Sequence, residues 1–513
     1  MRHRAWARRI AIERRVDVRR SDGEGIDRLA HVHLLARAVD NAGLDQFDNA
    51  FDLNGTAGQY ASLIKRDQGT LFLNAANTSW NGRLTISGGI VKTGSASALP
   101  AAATGSMSIT PASGTANVTV ASTATLATGM QVTGAGIPVG SYITGITSGT
   151  VFTISQHATA STTVTATLGY GVVELNNQSS VLQLQGGITV PNSVVLTSTG
   201  DWSQVNGLNT EGAVQSVSGV NTLSANVVLA AARPGSGTNR LFGFGALSGA
   251  TLALNGIQFD NVTGGGTTMI QFKGAGNFTF SGVIDNVNTG TLGGSSVRKH
   301  GSGSITFNAA SSLADSTFEL FSGLAVLQGA ATAGGSNNLN VYQNATLKLD
   351  NATTNTAARL GNKPLQLLGG TLQVVPNAAG STQVSTGALT VSAGSNVINL
   401  AAGGNSTLTF ASLAQNTGAS VDLQGVFGSS TNKITFTTAP TLTPATTGIL
   451  SRFTSAGSEF VTYNATTGLT PYAGYTAAAN HRFIVSDAMP ARLQGAAMVA
   501  EPTAKLIGLM KVQ

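Results

Sequence analysis

An all-β fold of the elongated repeat kind, a β-solenoid in which short strands stack turn upon turn, is what the sequence predicts, on three observations. The first is internal repetition. The stretch 65–100, KRDQGTLFLNAANTSWNGRLTISGGIVKTGSASALP, is matched without a gap, at a shift of 234 positions, by KHGSGSITFNAASSLADSTFELFSGLAVLQG, which begins at Lys299. Lys65 falls on Lys299, Gly69 on Gly303, Leu71 and Leu73 on Ile305 and Phe307, Asn74 on Asn308, Leu84 and Ile86 on Phe318 and Leu320, and Gly89 on Gly323. Glycines and alternating apolar positions kept in step over such a length mark a structural repeat.

The second observation is composition. A chain of 513 residues exceeds an ordinary compact domain. Only 10% of it is charged and 6% aromatic, while glycine alone contributes 64 residues. Stacked strands tolerate this, because a thin continuous core needs few large side chains. The third is apolar pairing at a period of two, which places two side chains on one strand face. Leu182 and Leu184, Leu252 and Leu254, Phe278 and Phe280, Leu347 and Leu349, and Leu372 and Val374 all read this way, with Gly or Asn between successive pairs. The pairs continue through Leu389 and Val391, Leu408 and Phe410, Val421 and Leu423, and Ile434 and Phe436.

The elements come in order along the chain. Residues 1–45 form a basic segment of different composition, with a helical period at Ile26, Leu29, Ala30, Leu34, Ala38 and Val39 that predicts a short helix. Its longest apolar run is far shorter than the roughly 7–15 residues of a secretory signal core, so no signal peptide is recognisable. A basic arm, an unfamiliar targeting segment, and upstream sequence joined by a misplaced start all fit. The break in composition favours the last. Residues 46–104 hold the first repeat region. Residues 105–168 break the pattern: short strands marked by Val118, Val120, Met130, Val132, Ile143, Ile146, Phe152 and Ile154, punctuated by Gly134, Gly136, Pro138 and Gly140, read as a small β module looped out of the stack. The body resumes over 169–438, and 439–513 form a C-terminal β region. Turns of roughly 20–25 residues give on the order of 15–18 turns and a rod of roughly 75–85 Å at about 4.8 Å each. Its exposed ends call for caps or partners, and the N-terminal helix is one candidate cap.

The Lys before the first strand, the G-T-L-x-L-N run, the A-N-T-x-x-x-G turn, the T-I-x-x-G-x-V pair and the S-A-x-A-L ending closely resemble the autotransporter-associated β-strand repeat of large bacterial surface proteins. The second copy matches more loosely. The resemblance implies a right-handed parallel β-helix in an exported protein. The segment TLTPATTGILSRFTSAGSEFVTYNATTGLTPYAGYT is similar to the stretch found C-terminal to such repeats, but the membrane barrel that ends an autotransporter does not come after it. A fragment or a soluble member is therefore expected.

Chemistry is harder to find. No cysteine is present, which excludes disulfides and thiolate metal sites. The net charge of +6 comes largely from about ten arginines before Ala38, so the body carries no basic stripe for nucleic acid. His31 and His33 lie too close to share a helical face, and His157, His300 and His481 are isolated in sequence. Asp260 and Asp285 lie about one turn apart and are the best candidates for a stacked carboxylate pair of the polysaccharide-cleaving type. Gly301-Ser302-Gly303 lacks the spacing of a nucleophile elbow, and no phosphate loop or calcium-binding glycine repeat occurs. No catalytic, metal or cofactor residue is assigned, and no transmembrane segment is recognised. The expected role is an extracellular or cell-surface structural or adhesive rod, with glycans, other surface components or like subunits as partners. A polysaccharide-active β-helix enzyme and a self-assembling fibre subunit are the alternatives.

Overall fold

The computed structural model describes residues 61–474, apart from short internal segments of which the longest are 77–82, 197–210, 230–239, 260–267 and 286–295, together with three strands nearer the N-terminus. Those three are Asp17–Ser21, Asp27–His31 and Leu44–Phe47. Residues of alternating size build short strands throughout. In Thr70–Leu73, Leu71 and Leu73 are buried and their neighbours partly exposed, and Ser304–Phe307 buries Ile305 and Phe307 in the same way. Such a strand cannot cover its apolar face alone, so it stacks on its counterpart in the next turn.

The stacking is parallel and three-sided. A first sheet of thirteen strands runs from Leu44–Phe47 to Leu413–Gln415, and a second of thirteen from Thr189–Val190 to Gly468–Pro471. A third, of nine strands, reaches Ile284–Asp285, and three strands from Ser381–Val384 to Asn432–Phe436 form a separate sheet further along the chain. Successive turns visit these in the same order, as in Arg240–Ala246, Thr251–Leu254 and Ile257–Phe259. The protein is thus all-β, built on long parallel sheets that coil like a solenoid. Among the described residues there is no α-helix, and no helix is long and apolar enough to cross a membrane.

Inward side chains form columns along the stack. One runs Phe244, Phe272, Lys299, Leu320, Val341, Leu367 and Val391. Phe272 stacks on Phe244 at 5.5 Å and meets Phe278 and Phe280 edge-on at 5.1 and 5.4 Å. Each such ring pair contributes about 0.5–1.5 kcal/mol beyond burial.

Among the described residues, turns are longer and fewer than the sequence suggests. Apart from the turn that carries the inserted module, 91 residues between Val91 and Leu182, they range from 20 residues, between Leu71 and Val91, to 33, between Val190 and Leu223. The excess lies in the links between strands, which apolar periodicity does not register. Thirteen strands at about 4.8 Å make the first sheet roughly 58 Å long.

The internal repeat acquires a structural meaning. Each copy is two consecutive short turns, pairing Leu63 with Leu84 and Leu71 with Val91 in one, and Val297 with Phe318 and Ile305 with Ala325 in the other. The first copy turns the corner from the third sheet to the first, the second copy from the first sheet to the second. The repeated unit is therefore a corner that can sit at different edges. Its lysine has the same task in both. Lys65 Nζ donates to the carbonyls of Arg66 and Gly88 (2.7 and 3.2 Å), and Lys299 Nζ to those of His300 and Gly301 (2.8 and 2.9 Å). The corner asparagines also bond across turns: Asn308 Nδ2 donates to the Phe280 carbonyl at 2.8 Å and its Oδ1 accepts from Gln328 at 3.1 Å.

Where 351–364 connects the second sheet to the first without a strand, Arg359 takes over the packing. It is fully buried, and its guanidinium donates to Asn351 Oδ1 and to the carbonyls of Ala331, Thr354 and Gly329, between 2.7 and 3.2 Å.

The inserted module is a six-stranded antiparallel sheet from Thr104–Pro111 to Val164–Gly169. Its edges meet through a bridge between Gln131 and Tyr142 and through bonds from Val132 N–H to Ser141 and from Ile143 N–H to Met130, both 2.8 Å. The sheet thereby closes around Ile109, Val118, Val132, Phe152 and Leu168. The stack passes beneath it unbroken, with Leu84 paired to Val173 and Ile86 to Leu175. Asn192, one turn later, donates to the carbonyls of Pro100 and Gly171 and so holds both stems. Tyr142 covers Val172, Val195 and Val228 on the outside of the third sheet.

Near the two ends of the described stack, antiparallel strands appear, and one expectation is corrected. Within the segment read as helical, Asp27–His31 is a strand paired antiparallel with Asp17–Ser21, which in turn pairs with Ala61–Lys65, while Ile26, Leu34, Ala38 and Val39 lie outside the described residues. The linking sequence Asp22-Gly23-Glu24-Gly25-Ile26 carries two glycines, and glycine-bearing links of this length favour a hairpin over helix propagation. An antiparallel hairpin, Glu459–Asn464 with Gly468–Pro471, folds over the last strand of the three-stranded sheet. The Tyr463 hydroxyl accepts from Phe436 N–H at 3.3 Å and donates to its carbonyl at 3.1 Å. Gly468, at φ +73°, lies against the Ile434 carbonyl where any side chain would collide. That edge is blunted rather than offered to another chain.

Two outcomes are expected. Arg359→Met should lower unfolding free energy by about 2–4 kcal/mol, since several buried carbonyls lose their donor, as read by chemical denaturation. Tyr463→Phe should cost about 1–2 kcal/mol and raise concentration-dependent association in sedimentation velocity; an unchanged sedimentation profile would show that the hairpin does not guard that edge.

Candidate functional site

Side chains on the outer face of the first sheet also fall into rows, because parallel strands in register repeat the same in–out alternation. One row runs Gln271, Arg298, Glu319, Asn340, Gln366 and Thr390. Beside it Phe72, Lys92, Gln183, Gln215, Gly245 and Lys273 lead along the sheet to His300, Phe321 and Tyr342. Amides, cations and rings thus line the stack axis at the turn spacing. Gln183 Nε2 donates to Gln215 Oε1 at 2.9 Å, and Lys92 Nζ lies 5.4 Å from the Phe72 ring centre.

The densest chemistry sits where the turns are shortest. His300 stacks on Phe321 at 4.7 Å with 9° between ring planes, and Phe321 on Tyr342 at 4.4 Å and 18°. Arg298 donates from Nε to Glu319 Oε2 at 2.6 Å, with its guanidinium 5.9 Å from the Phe321 ring centre. Tyr342 donates to Glu319 Oε1 at 3.3 Å. Both carboxylate oxygens are therefore engaged, one by a cation and one by a phenol.

Burial raises the Tyr342 pKa and the Glu319 charge raises it further, so the phenol stays protonated and serves as a donor. Burial lowers the His300 pKa, and the charges of Lys273, Arg298 and Lys299 lower it more. The imidazole is neutral at pH 7. Lys299 occupies an inward position between Phe272 and Leu320, and desolvation brings its pKa to about 8.

Of the sequence candidates, His300 alone joins this cluster. His157 is exposed on the inserted module, His31 ends a strand, and His33 and His481 lie outside the described residues. Asp260 also lies outside them. The register there pairs Ile257 with Ile284 and sets Asp285 beside Gln258. No group of three or more potential metal ligands occurs among the described residues. Phe321, Tyr342, Arg298 and Glu319 carry no motif of their own. A signal existed in spacing: His300, Phe321 and Tyr342 recur every 21 positions, as do Arg298, Glu319 and Asn340.

No family model matches this chain, and no curated protein matches it. Among solved structures, it is similar to the Gp54 tailspike of Acinetobacter baumannii bacteriophage AP22 in complex with A. baumannii capsular saccharide, at 9% identity over 77% of this chain and 68% of that one. The TM-score of 0.18 is too low to carry any inference about this protein.

A lysine whose pKa falls on folding binds fewer protons than in the unfolded chain between pH 8 and its ordinary value of 10.5. Stability contributed through this group therefore rises with pH across that window. In thermal melts from pH 7.5 to 10, the difference between the native protein and Lys299→Met should change in the native protein's favour as pH rises; parallel curves would refute the assignment.

Proposed function

We propose that this chain is a bacterial extracellular or cell-surface rod, a right-handed parallel β-helix of the kind that carries autotransporter-associated β-strand repeats, whose first-sheet outer face binds polysaccharide without cleaving it. The outer rows of amide, cationic and aromatic side chains, interrupted at Gly245 and at the buried Gln215, carry the reading. A linear polymer laid along the stack would meet polar, cationic or aromatic groups at most turns, and polar side chains interleaved with aromatics are suited to hydroxyl-rich chains. The handedness rests on the strong preference of parallel strand crossovers for the right-handed path. The repeat resemblance at 65–100 is consistent with it, since those residues form the short corner turns.

Binding rather than turnover is favoured by the state of Glu319. Its register neighbours are Arg298 and Asn340, and its oxygens are already bonded to Arg298 and Tyr342. Glycoside cleavage needs two carboxyl groups across the scissile bond, one of them free to exchange a proton.

The test is retention on immobilised polysaccharides, with product analysis of the same mixtures. Phe321→Ala should weaken retention about two- to ten-fold, the scale of one aromatic contact, while polymer length stays unchanged. Failure to bind any polysaccharide would overturn the reading, and release of reducing ends abolished by Glu319→Gln would replace it with an enzyme.

A further inference from the structure

We propose that the outer face around His300, Phe321 and Tyr342 selects polysaccharides by linkage geometry, taking straight, diequatorially linked pyranose chains of the cellulose and xylan kind over chains that coil or flex, such as amylose and dextran. The inference rests on the polysaccharide-binding reading above and adds the class of polymer.

Equal spacing comes first. Two consecutive turns advance by 21 residues, from Lys299 to Leu320 and from Leu320 to Val341, so His300, Phe321 and Tyr342 stand one above another. The backbone ladder holds them there: His300 N–H donates to the Phe272 carbonyl at 2.8 Å, and Phe321 N–H to that of Lys299 at 3.0 Å. Ring centres follow at 4.7 and 4.4 Å, with planes 9° and 18° apart, and all three residues are partly exposed. Phe321 is covered on both faces, so a sugar cannot lie flat on it. What the stack offers is a ladder of rims, and the rim is the positive part of an aromatic quadrupole, suited to sugar oxygens. A single sugar meets one rung. Only a chain that presents oxygens in a straight line at the turn spacing meets them all.

A second line runs beside the first at the same spacing. Arg298, Glu319 and Asn340 occupy successive turns, and Gln366 comes next. The two lines are tied together where Tyr342 donates to Glu319 Oε1 at 3.3 Å and where the Arg298 guanidinium lies 5.9 Å from the Phe321 ring centre. Arg298 and Glu319 are paired with each other, so the pattern reads shape and hydrogen bonding rather than charge. Rims on one line and polar groups on the other repeat at about 4.8 Å along the stack. A diequatorially linked pyranose chain enters and leaves each ring at opposite ends, so it extends as a straight ribbon and advances close to one strand spacing per sugar. An axial linkage bends the chain into a coil, and an exocyclic methylene in the linkage adds a rotatable bond whose ordering opposes binding. The ring line is also bounded. Gly245 offers no side chain before Lys273, and the register slips where Leu368 meets Ala393. Five side chains, Lys273, His300, Phe321, Tyr342 and Leu368, remain between those limits.

The experiment measures binding of the full chain, by affinity electrophoresis, to hydroxyethylcellulose, arabinoxylan and glucomannan beside amylose, dextran and pullulan, all of them uncharged. At least one of the first three should bind about ten-fold or more tightly than each of the second three, the scale of ring contacts kept at two turns. Calorimetry with oligosaccharides of the polymer that binds best should show affinity rising with length to about five sugars and level beyond, one sugar per turn. Phe321→Ala, which removes the middle rung, should abolish the gain beyond two sugars, whereas Tyr342→Phe, which keeps the ring, should retain it. Equal or tighter binding of a coiled or flexible glucan, or affinity that does not grow past two sugars, would overturn the linkage preference and leave polysaccharide binding intact. Retention of none of the six would overturn the linkage preference as well, and failure of every polysaccharide in the retention test above would overturn both readings.

Discussion

A strand in a parallel stack finds its hydrogen-bond partners only in the turns above and below, so every turn must repeat the register of the one before. Each backbone group left over costs about as much as a lost hydrogen bond. This requirement explains the inward columns, in which Phe244, Phe272 and Leu320 hold one position over successive turns. It also explains why a lysine is tolerated in that column. Lys299 keeps its strand in register and turns its ammonium toward two corner carbonyls that no strand could satisfy. Arg359 does the same on a larger scale where a connection lacks a strand.

Freedom in the fold lies between the strands. Links absorb differences in turn length, accept a closed six-stranded module, and allow the same corner to appear at two different edges, while the pairing across them is preserved. The outer rows inherit their order from that preserved pairing. Where consecutive turns are equally short, side chains of one kind come into contact, and His300, Phe321 and Tyr342 stack as a consequence. The face proposed to meet a polymer is thus a by-product of the spacing that builds the core.

Among the described residues, two edges of the stack are covered by antiparallel strands. A parallel stack ends in unpaired backbone, a standing invitation to another chain. The hairpin Glu459–Asn464 with Gly468–Pro471 crosses the end of the three-stranded sheet, and Tyr463 bonds both backbone groups of Phe436. At the other end, Asp17–Ser21 joins the third sheet in the antiparallel sense. Reversal of strand direction interrupts the parallel pattern that the next turn would have needed.

The sequence by itself determined the strands and their inward faces, because period-two alternation is a local property of residues such as Leu71 and Leu73 or Ile305 and Phe307. It also marked the corner unit and the foreign module, which differ in pattern from their surroundings. Tertiary structure decided which sheet each strand enters, how long each turn is, and that 27–31 is strand where a helical period was legible. It alone brought Arg298 to Glu319 and His300 to Phe321. The physical reason is the same in each case: neighbours across a stack are set by inter-turn hydrogen bonding and by the length of the intervening links, and neither is written in the residues that finally touch.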